Sequence, residues 1–289
     1  MSGDAVLDMA NVFDFCKWRS IEDSLLWYQQ GGFARLNAFL WQRDLNSDNV
    51  NRKFLQDMTL LKGVAKDAIN LSSIIGTSPS ELTLFRGDND SHFDMSEFKK
   101  GATISFKGFS STSSSINVAK NFATTDSPNT TSIIFDIKVP KGGKFLAIQN
   151  AEFSYEKETL LPPCNYEVLD VSRTQNGSYY IVMEQKEMLD IHTLIDEGLD
   201  NVKSSINSPF AWHKKIQISR LKDDVSRYIE YQSKNPSITI LPNMAAPNLP
   251  QNNFSNVEQE IMSDNYPEVL QSQNTQSQNL QDFEDGMGM

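Results

Sequence analysis

Residues 156–158 read Glu156-Lys157-Glu158, two carboxylates one residue apart. Phe153 and Tyr155 precede them, and the run Leu160-Leu161-Pro162-Pro163 follows. On an extended chain, residues i and i+2 point to the same face. Two like charges on one face either lie in water or hold something cationic between them. Two further short motifs follow a fixed order with this pair. Arg86-Gly87 closes the apolar run Leu82-Thr83-Leu84-Phe85. Phe109-Ser110-Ser111-Thr112-Ser113 clusters hydroxyls at the end of an alternating segment. Taken singly, each has an ordinary reading: a strand end, a polar loop, a solvated surface pair. A glycosidase with paired carboxylates ranks low, because an i, i+2 pair on one strand does not flank a bond from opposite faces.

The hydrophobic periodicity says which elements must position these groups. Residues 8–75 read as helical. Ser20 serves as an N-cap with Glu22 and Asp23 in the first turn, Gly31-Gly32 interrupts, and Phe33, Leu36, Phe39 and Leu40 resume the apolar stripe. The period then shortens. Residues 82–87, 102–115, 132–140 and 144–148 read as strands, with 116–123 as a short helix. Two or three more strands follow residue 158, with Asn176-Gly177 as a hairpin turn. Helices return over 189–234. Helix-first, strand-later order indicates an α+β fold.

The formal charge is −11. Seven acids and no Lys or Arg lie beyond Pro236, so the rest of the chain is close to balanced. No basic stripe marks a nucleic-acid partner. Cys16 and Cys164 do not make a disulfide framework, which fits folding in a reducing cytosol. The three histidines, His92, His192 and His213, lack ligand spacing, and no metal is expected. No apolar run approaches 18 residues, so no integral membrane association is expected. The Gln/Asn-rich segment 236–289 reads as disordered.

In order, Arg86, Ser111-Thr112-Ser113 and Glu156/Glu158 resemble the R-S-E class of mono-ADP-ribosyltransferases, which includes arginine-modifying toxins of the clostridial C2/C3-like type, phage enzymes and ecto-enzymes. Residues 27–40, WYQQGGFARLNAFL, are similar to the family's upstream helix, and the likeness spans roughly residues 20 to 190. We place the serine step at Ser111 because Phe-x-Ser-Thr-Ser then matches in full.

The resemblance implies an ADP-ribosyltransferase split β-sandwich of two antiparallel sheets, with N-terminal helices and a C-terminal helical extension. Its catalytic domain would occupy residues 1–190, with a helical part at 1–78 and a β-rich core at 80–188. A helical extension at 191–235 and the tail would follow. NAD⁺ is the implied co-substrate. Glu158 would stabilise charge developing on the ribose, and Glu156 would orient an incoming arginine. Arg86 would contact the diphosphate, the Gly87 backbone would hold the nicotinamide amide, and Ser111 would hydrogen-bond Glu158. Thr112 and Ser113 would shape the strand end. Phe122 would stack on nicotinamide, its alternative being a core position. Residues 124–131 would form a loop over the cofactor, and 150–157 a recognition turn with Phe153 and Tyr155. Family members with Gln at the first Glu position modify other residues, so Glu156 implies arginine.

The expected partner is a protein with an accessible arginine, and the expected state is a monomer. The tail is similar in composition to the translocation signals of type IV-secreted effectors, which implies action in a host cell; the alternative is a phage enzyme in a bacterial cytoplasm. Two rival functions stay open here: an NAD⁺ glycohydrolase and a catalytically silent interaction module.

Overall fold

A computed structural model of the protein describes residues 20–41, 57–123, 130–148, 158–206 and 212–234. Helix α1, Ile21–Trp27, starts where the sequence expects it. Ser20 Oγ accepts from Asp23 N at 3.0 Å, and Asp23 Oδ2 accepts from Ser20 N at 3.1 Å, a closed capping box. The Gly31-Gly32 interruption is a kink between two helices, at a π-helical turn Tyr28–Gly32 in which Gln30 and Gly31 leave helical φ/ψ and Gly31 takes φ +101°. Helix α2, Phe33–Trp41, continues beyond it. Helix α3, Met58–Ser73, is capped by Asp57, whose carboxylate accepts from Thr59 N and Leu60 N.

Nine strands follow among the described residues: β1 Gly76–Thr77, β2 Leu82–Asn89, β3 Thr103–Phe106, β4 Ser110–Ser113, β5 Ser132–Val139, β6 Lys144–Ala147, β7 Glu158–Leu161, β8 Cys164–Arg173 and β9 Tyr179–Met188. Helix α4, Ile116–Ala123, lies between β4 and β5; α5, Ile191–Ser204, and α6, Trp212–Lys234, close the described chain. The architecture is α+β, as expected.

The strand order is β1-β6-β7-β4-β2-β5-β9-β8-β3. One backbone pair, Phe85↔Ser113, joins β4 to β2 and divides this order into two halves. The expected antiparallel pairing holds at every pair but one: β5 and β9 run parallel. Between them the chain passes through β6 and β7 of the other half before returning through β8. The alternating segment 102–115 also resolves differently from its reading as one strand. It divides into β3 and β4, at opposite ends of the second half's pairing and the seam. The crossing at 107–109 passes under Trp41, where a Cβ on Gly108 would lie 2.3 Å from the indole nitrogen.

Strand alternation feeds two cores. Leu84, Phe106, Phe135, Tyr166 and Met183 pack with Phe145 and Leu161 from the other half. Their neighbours Leu146 and Leu160 point the opposite way, into a second core with Leu36, Phe39, Leu61, Leu199 and Leu221 of the helices. Each such fully buried side chain contributes about 1.5–3 kcal/mol. Helices α5 and α6 therefore cover the outer face of the first half together with α1–α3. A buried polar chain ties the two ends of the described fold. Ser24 Oγ donates to Asp67 at 2.6 Å, Asn70 Nδ2 donates to Ser24 Oγ at 2.9 Å, and Tyr228 OH reaches Asn70 at 3.4 Å. Lys66 Nζ lies over the Tyr228 ring, 3.3 Å from its centroid. Among the described residues, no helix is long and apolar enough to cross a membrane.

Candidate active site

At the seam between the sheet halves lies a cavity of about 380 Å³. Its walls bring together Arg86 and Gly87 of β2, Ser111, Thr112 and Ser113 of β4, Phe122 of α4 and Glu158 of β7. Every sequence-predicted site residue inside the described range thus lines one space. Glu156, Phe153 and Tyr155 lie outside the described residues, as do Lys157 and positions 124–129 of the expected cofactor loop.

Strand register places the carboxylate. Ser113 and Glu158 are direct partners across β4 and β7, so Ser111, Ser113, Glu158 and Leu160 share one face. Leu160 turns into the helical core, and at the end of that face Glu158 meets the π-helical turn. Gln29 Nε2 donates to Glu158 Oε2 at 3.0 Å. Ser111 is held by Tyr28: the two hydroxyl oxygens are 3.2 Å apart, and Tyr28 OH also reaches Phe109 O at 3.4 Å. The described side-chain hydrogen bonds of Ser111 and Glu158 therefore run to the helix turn, with none between the two side chains. Burial, together with the nearby Glu158 charge, pushes the Tyr28 phenol up to about 12, against the opposing effects of the Ser111 hydrogen bond and Arg86. Asn37 fixes the entry to β4 by bonding both ways with the Phe109 backbone, 2.9 Å to O and 2.9 Å from N.

On β2, Arg86 and Asp88 continue the face that Leu82 and Leu84 turn toward the sheet core. Arg86 Nη1 donates to Ser111 O at 3.3 Å, across the seam. Its Nη2 donates to Asp88 Oδ2 at 2.8 Å. Asp88 Oδ1 receives His92 Nδ1 at 2.6 Å and Asn89 N at 2.9 Å. Burial would raise the Asp88 pKa, but the His92 hydrogen bond and the Arg86 charge outweigh it and hold the carboxyl at about 2.

Two expectations change in detail. Phe122 has a core alternative in the sequence, but its ring is 64% exposed on the cavity wall. Gly87 is demanded by packing before any ligand is considered: a Cβ there would lie 1.8 Å from Ala119 O and 2.6 Å from Ala123 N, in the backbone of α4. Three residues that the role assignments passed over prove central: Tyr28, Gln29 and Asp88. The first two sit inside the stretch that resembles the family helix, so the signal was present without a role attached. His92, one of the three histidines without ligand spacing, lines the cavity while 58% exposed. Among the described residues, no group of three His, Cys, Asp or Glu side chains converges as a metal site would.

The model of the ADP-ribosyltransferase exoenzyme family matches residues 22–190. The chain belongs to this family. The match covers more than half of the chain and spans the site from just before Tyr28 to beyond Glu158. A search of curated proteins found no match. Solved structures similar to this chain include the Vis toxin, an ADP-ribosyltransferase from Vibrio splendidus, at 20% identity and TM-score 0.41, covering 65% of this chain and 87% of that one. Exoenzyme S from Pseudomonas aeruginosa, bound to human 14-3-3 protein beta and carba-NAD, is 19% identical at TM-score 0.39, with 62% and 88% covered. The C3 exoenzyme of Clostridium limosum is 18% identical at TM-score 0.36, with 65% and 96% covered. Likenesses this distant carry no argument of their own; membership rests on the family match.

Proposed function

We propose that the protein is an R-S-E-class mono-ADP-ribosyltransferase that moves ADP-ribose from NAD⁺ to an arginine side chain of a target protein and releases nicotinamide. The observation that carries this is the meeting of Arg86, Ser111, Ser113, Phe122 and Glu158 around one cavity, within a chain of the ADP-ribosyltransferase exoenzyme family.

The chemistry suits these groups. Nicotinamide leaves NAD⁺ as a neutral molecule, so no general acid is required. Positive charge develops on the ribose, and a carboxylate placed against it stabilises the transition state more than the ground state. Glu158 fills that role. Gln29 holds Oε2 in place, which fixes the orientation of the whole carboxylate. Arg86 is the diphosphate contact, since its always-charged guanidinium lines the cavity with a quarter of the side chain exposed. The exposed Phe122 ring offers an aromatic surface to nicotinamide. Gly87 contributes its backbone alone. Thr112 and Ser113 shape the strand end, and Thr112 Oγ1 donates to Thr159 O at 2.5 Å, locking β4 to β7.

Glu156, with Phe153 and Tyr155 beside it, receives the arginine guanidinium and accepts its proton as attack proceeds. The acceptor is thus a protein with an accessible arginine, and the enzyme works as a monomer. The acidic Gln/Asn-rich tail supports an effector that acts in a host cell after type IV-like secretion.

The test is incubation with labelled NAD⁺ and a cell lysate beside Glu158→Ala and Glu156→Gln. Label on discrete protein bands, absent with Glu158→Ala and mapped to arginine by mass spectrometry, supports the reading. Nicotinamide release with no bound label from any lysate would instead make the protein a glycohydrolase. Binding of NAD⁺ without turnover would make it an interaction module.

A further inference from the structure

We propose that His92 is a positioning residue that limits Asp88 to one-oxygen pairing with Arg86, and so leaves the exposed part of the guanidinium to the diphosphate of the dinucleotide. The inference rests on the reading of Arg86 as the diphosphate contact.

A carboxylate beside an arginine tends to take the guanidinium with both oxygens, in two parallel hydrogen bonds. Asp88 does not. Only Oδ2 meets Arg86, at Nη2 and 2.8 Å, while Oδ1 is turned away to His92 Nδ1 at 2.6 Å and Asn89 N at 2.9 Å. Asp88 is 8% exposed and its carboxyl is held at about 2, so it is an anion that must have donors. An ionised carboxylate only accepts, so Nδ1 of His92 carries the proton. The outcome appears on Arg86. Nη1 and Nη2 are engaged, yet Nε is buried and has no hydrogen-bond partner. That donor is closed to solvent, so an anion reaches Arg86 through the quarter of its side chain that is exposed on the cavity wall. Without His92, Asn89 N alone would hold Oδ1, which could then swing onto the same guanidinium, and Asp88 would compete with the ligand for it.

His92 is itself held. It ends the 3-10 turn Asp90–His92, in which Asn89 caps Ser91 N at 3.1 Å. Asp90 ties that turn to the residue before β5, with Asp90 N donating to Thr131 O at 3.0 Å and Thr131 N to Asp90 Oδ1 at 2.7 Å. The ring therefore meets Asp88 from a braced position, although it is 58% exposed and adds little to the core.

The test uses the full chain and measures affinity for NAD⁺ and for ADP, a diphosphate that lacks nicotinamide, by calorimetry, with kcat and KM for nicotinamide release alongside. For His92→Ala, affinity for both ligands should fall about tenfold, the size of one charge-assisted hydrogen bond. The loss should appear in KM rather than kcat. His92→Asn places an amide donor near the position of Nδ1 and should restore most of the affinity. In an Asp88→Asn background, His92→Ala should add no further loss. If His92→Ala leaves ADP affinity within about twofold while Arg86→Lys weakens it, the positioning role is wrong and the Arg86 reading stands. A fall in kcat alone would also overturn the role. If Arg86→Lys leaves ADP affinity unchanged, the Arg86 reading fails and takes this inference with it.

Discussion

The side-chain amide of Gln29 lies 3.0 Å from Oε2 of Glu158, joining the π-helical turn to the first residue of β7 across 129 positions of sequence. It gives the carboxylate a fixed orientation from the same turn whose Tyr28 holds Ser111. A hydrogen bond to a charged group is worth about 1.5–3 kcal/mol. Gln29→Ala should therefore slow nicotinamide release about ten- to a hundredfold, with a smaller change in KM for NAD⁺. Gln29→Glu sets a like charge beside Glu158 and should slow it further. Steady-state assays of nicotinamide release check both, and a Gln29→Ala enzyme at wild-type speed would remove Gln29 from the site.

Glu158→Gln keeps the shape and the Gln29 contact distance but removes the charge. Loss of one preorganised electrostatic group costs roughly 10²–10³ in kcat. Glycohydrolysis and transfer should fall together, because both share the bond-breaking step. Glu156→Gln should separate them, with transfer to arginine lost and hydrolysis retained. Parallel assays of bound label and free nicotinamide distinguish the two variants.

Gly87→Ala tests the contact between β2 and α4. The added methyl meets Ala119 O at 1.8 Å, a contact that only a shift of the helix can relieve. Overpacking of this kind costs about 1–3 kcal/mol, readable as a lower denaturant midpoint. Because α4 carries Phe122, NAD⁺ affinity should weaken with it, beyond what the stability loss alone produces.

How much of this was legible beforehand follows the range of each interaction. The strand that carries Arg86, the hydroxyls of β4 and Glu158 before Leu160 are local patterns that periodicity finds, although β2 runs on to Asn89, past the strand end expected at Gly87. Ser20 as N-cap and the turn at Gly177, with its φ of +87°, are also local. Tyr28 against Ser111, Asp88 between Arg86 and His92, and the break of 102–115 into two strands depend on distant segments meeting. Nothing in residues 102–115 indicates that Trp41 will lie over Gly108. The parallel β5–β9 pair is likewise a product of the route the chain takes between them.

Asp88 should leave a signature in acid. Its folded-state pKa of about 2 lies below the usual 3.8, so its ion pairing stabilises the protein fully above about pH 4. That contribution, roughly 2 kcal/mol, is lost as pH falls through 2. Asp88→Asn should flatten this part of the stability curve relative to wild type in urea melts at pH 2–5.

Tyr28 should do the opposite in base. Its phenol is held at about 12, above the usual 10, so the folded state keeps a proton that the unfolded chain gives up. Stability from this group is complete below pH 10 and declines as pH rises toward 12. Tyr28→Phe should be less stable at pH 7 by about 1 kcal/mol, the worth of its hydrogen bond, yet lose less between pH 10 and 12. Melts of the two proteins across that interval give the comparison.

The single backbone pair Phe85↔Ser113 has a mechanical meaning. Arg86 stands on one side of that join, and Ser111, Ser113 and Glu158 on the other. Along most of its length the ladder is riveted by several rungs per strand pair; here it has one, and Arg86 Nη1 to Ser111 O adds a second. A dinucleotide gripped from both banks would serve as the missing rungs, so the substrate is at the same time a clamp on the protein that consumes it. Each turnover would release that clamp, and the seam would be loosest when the product departs.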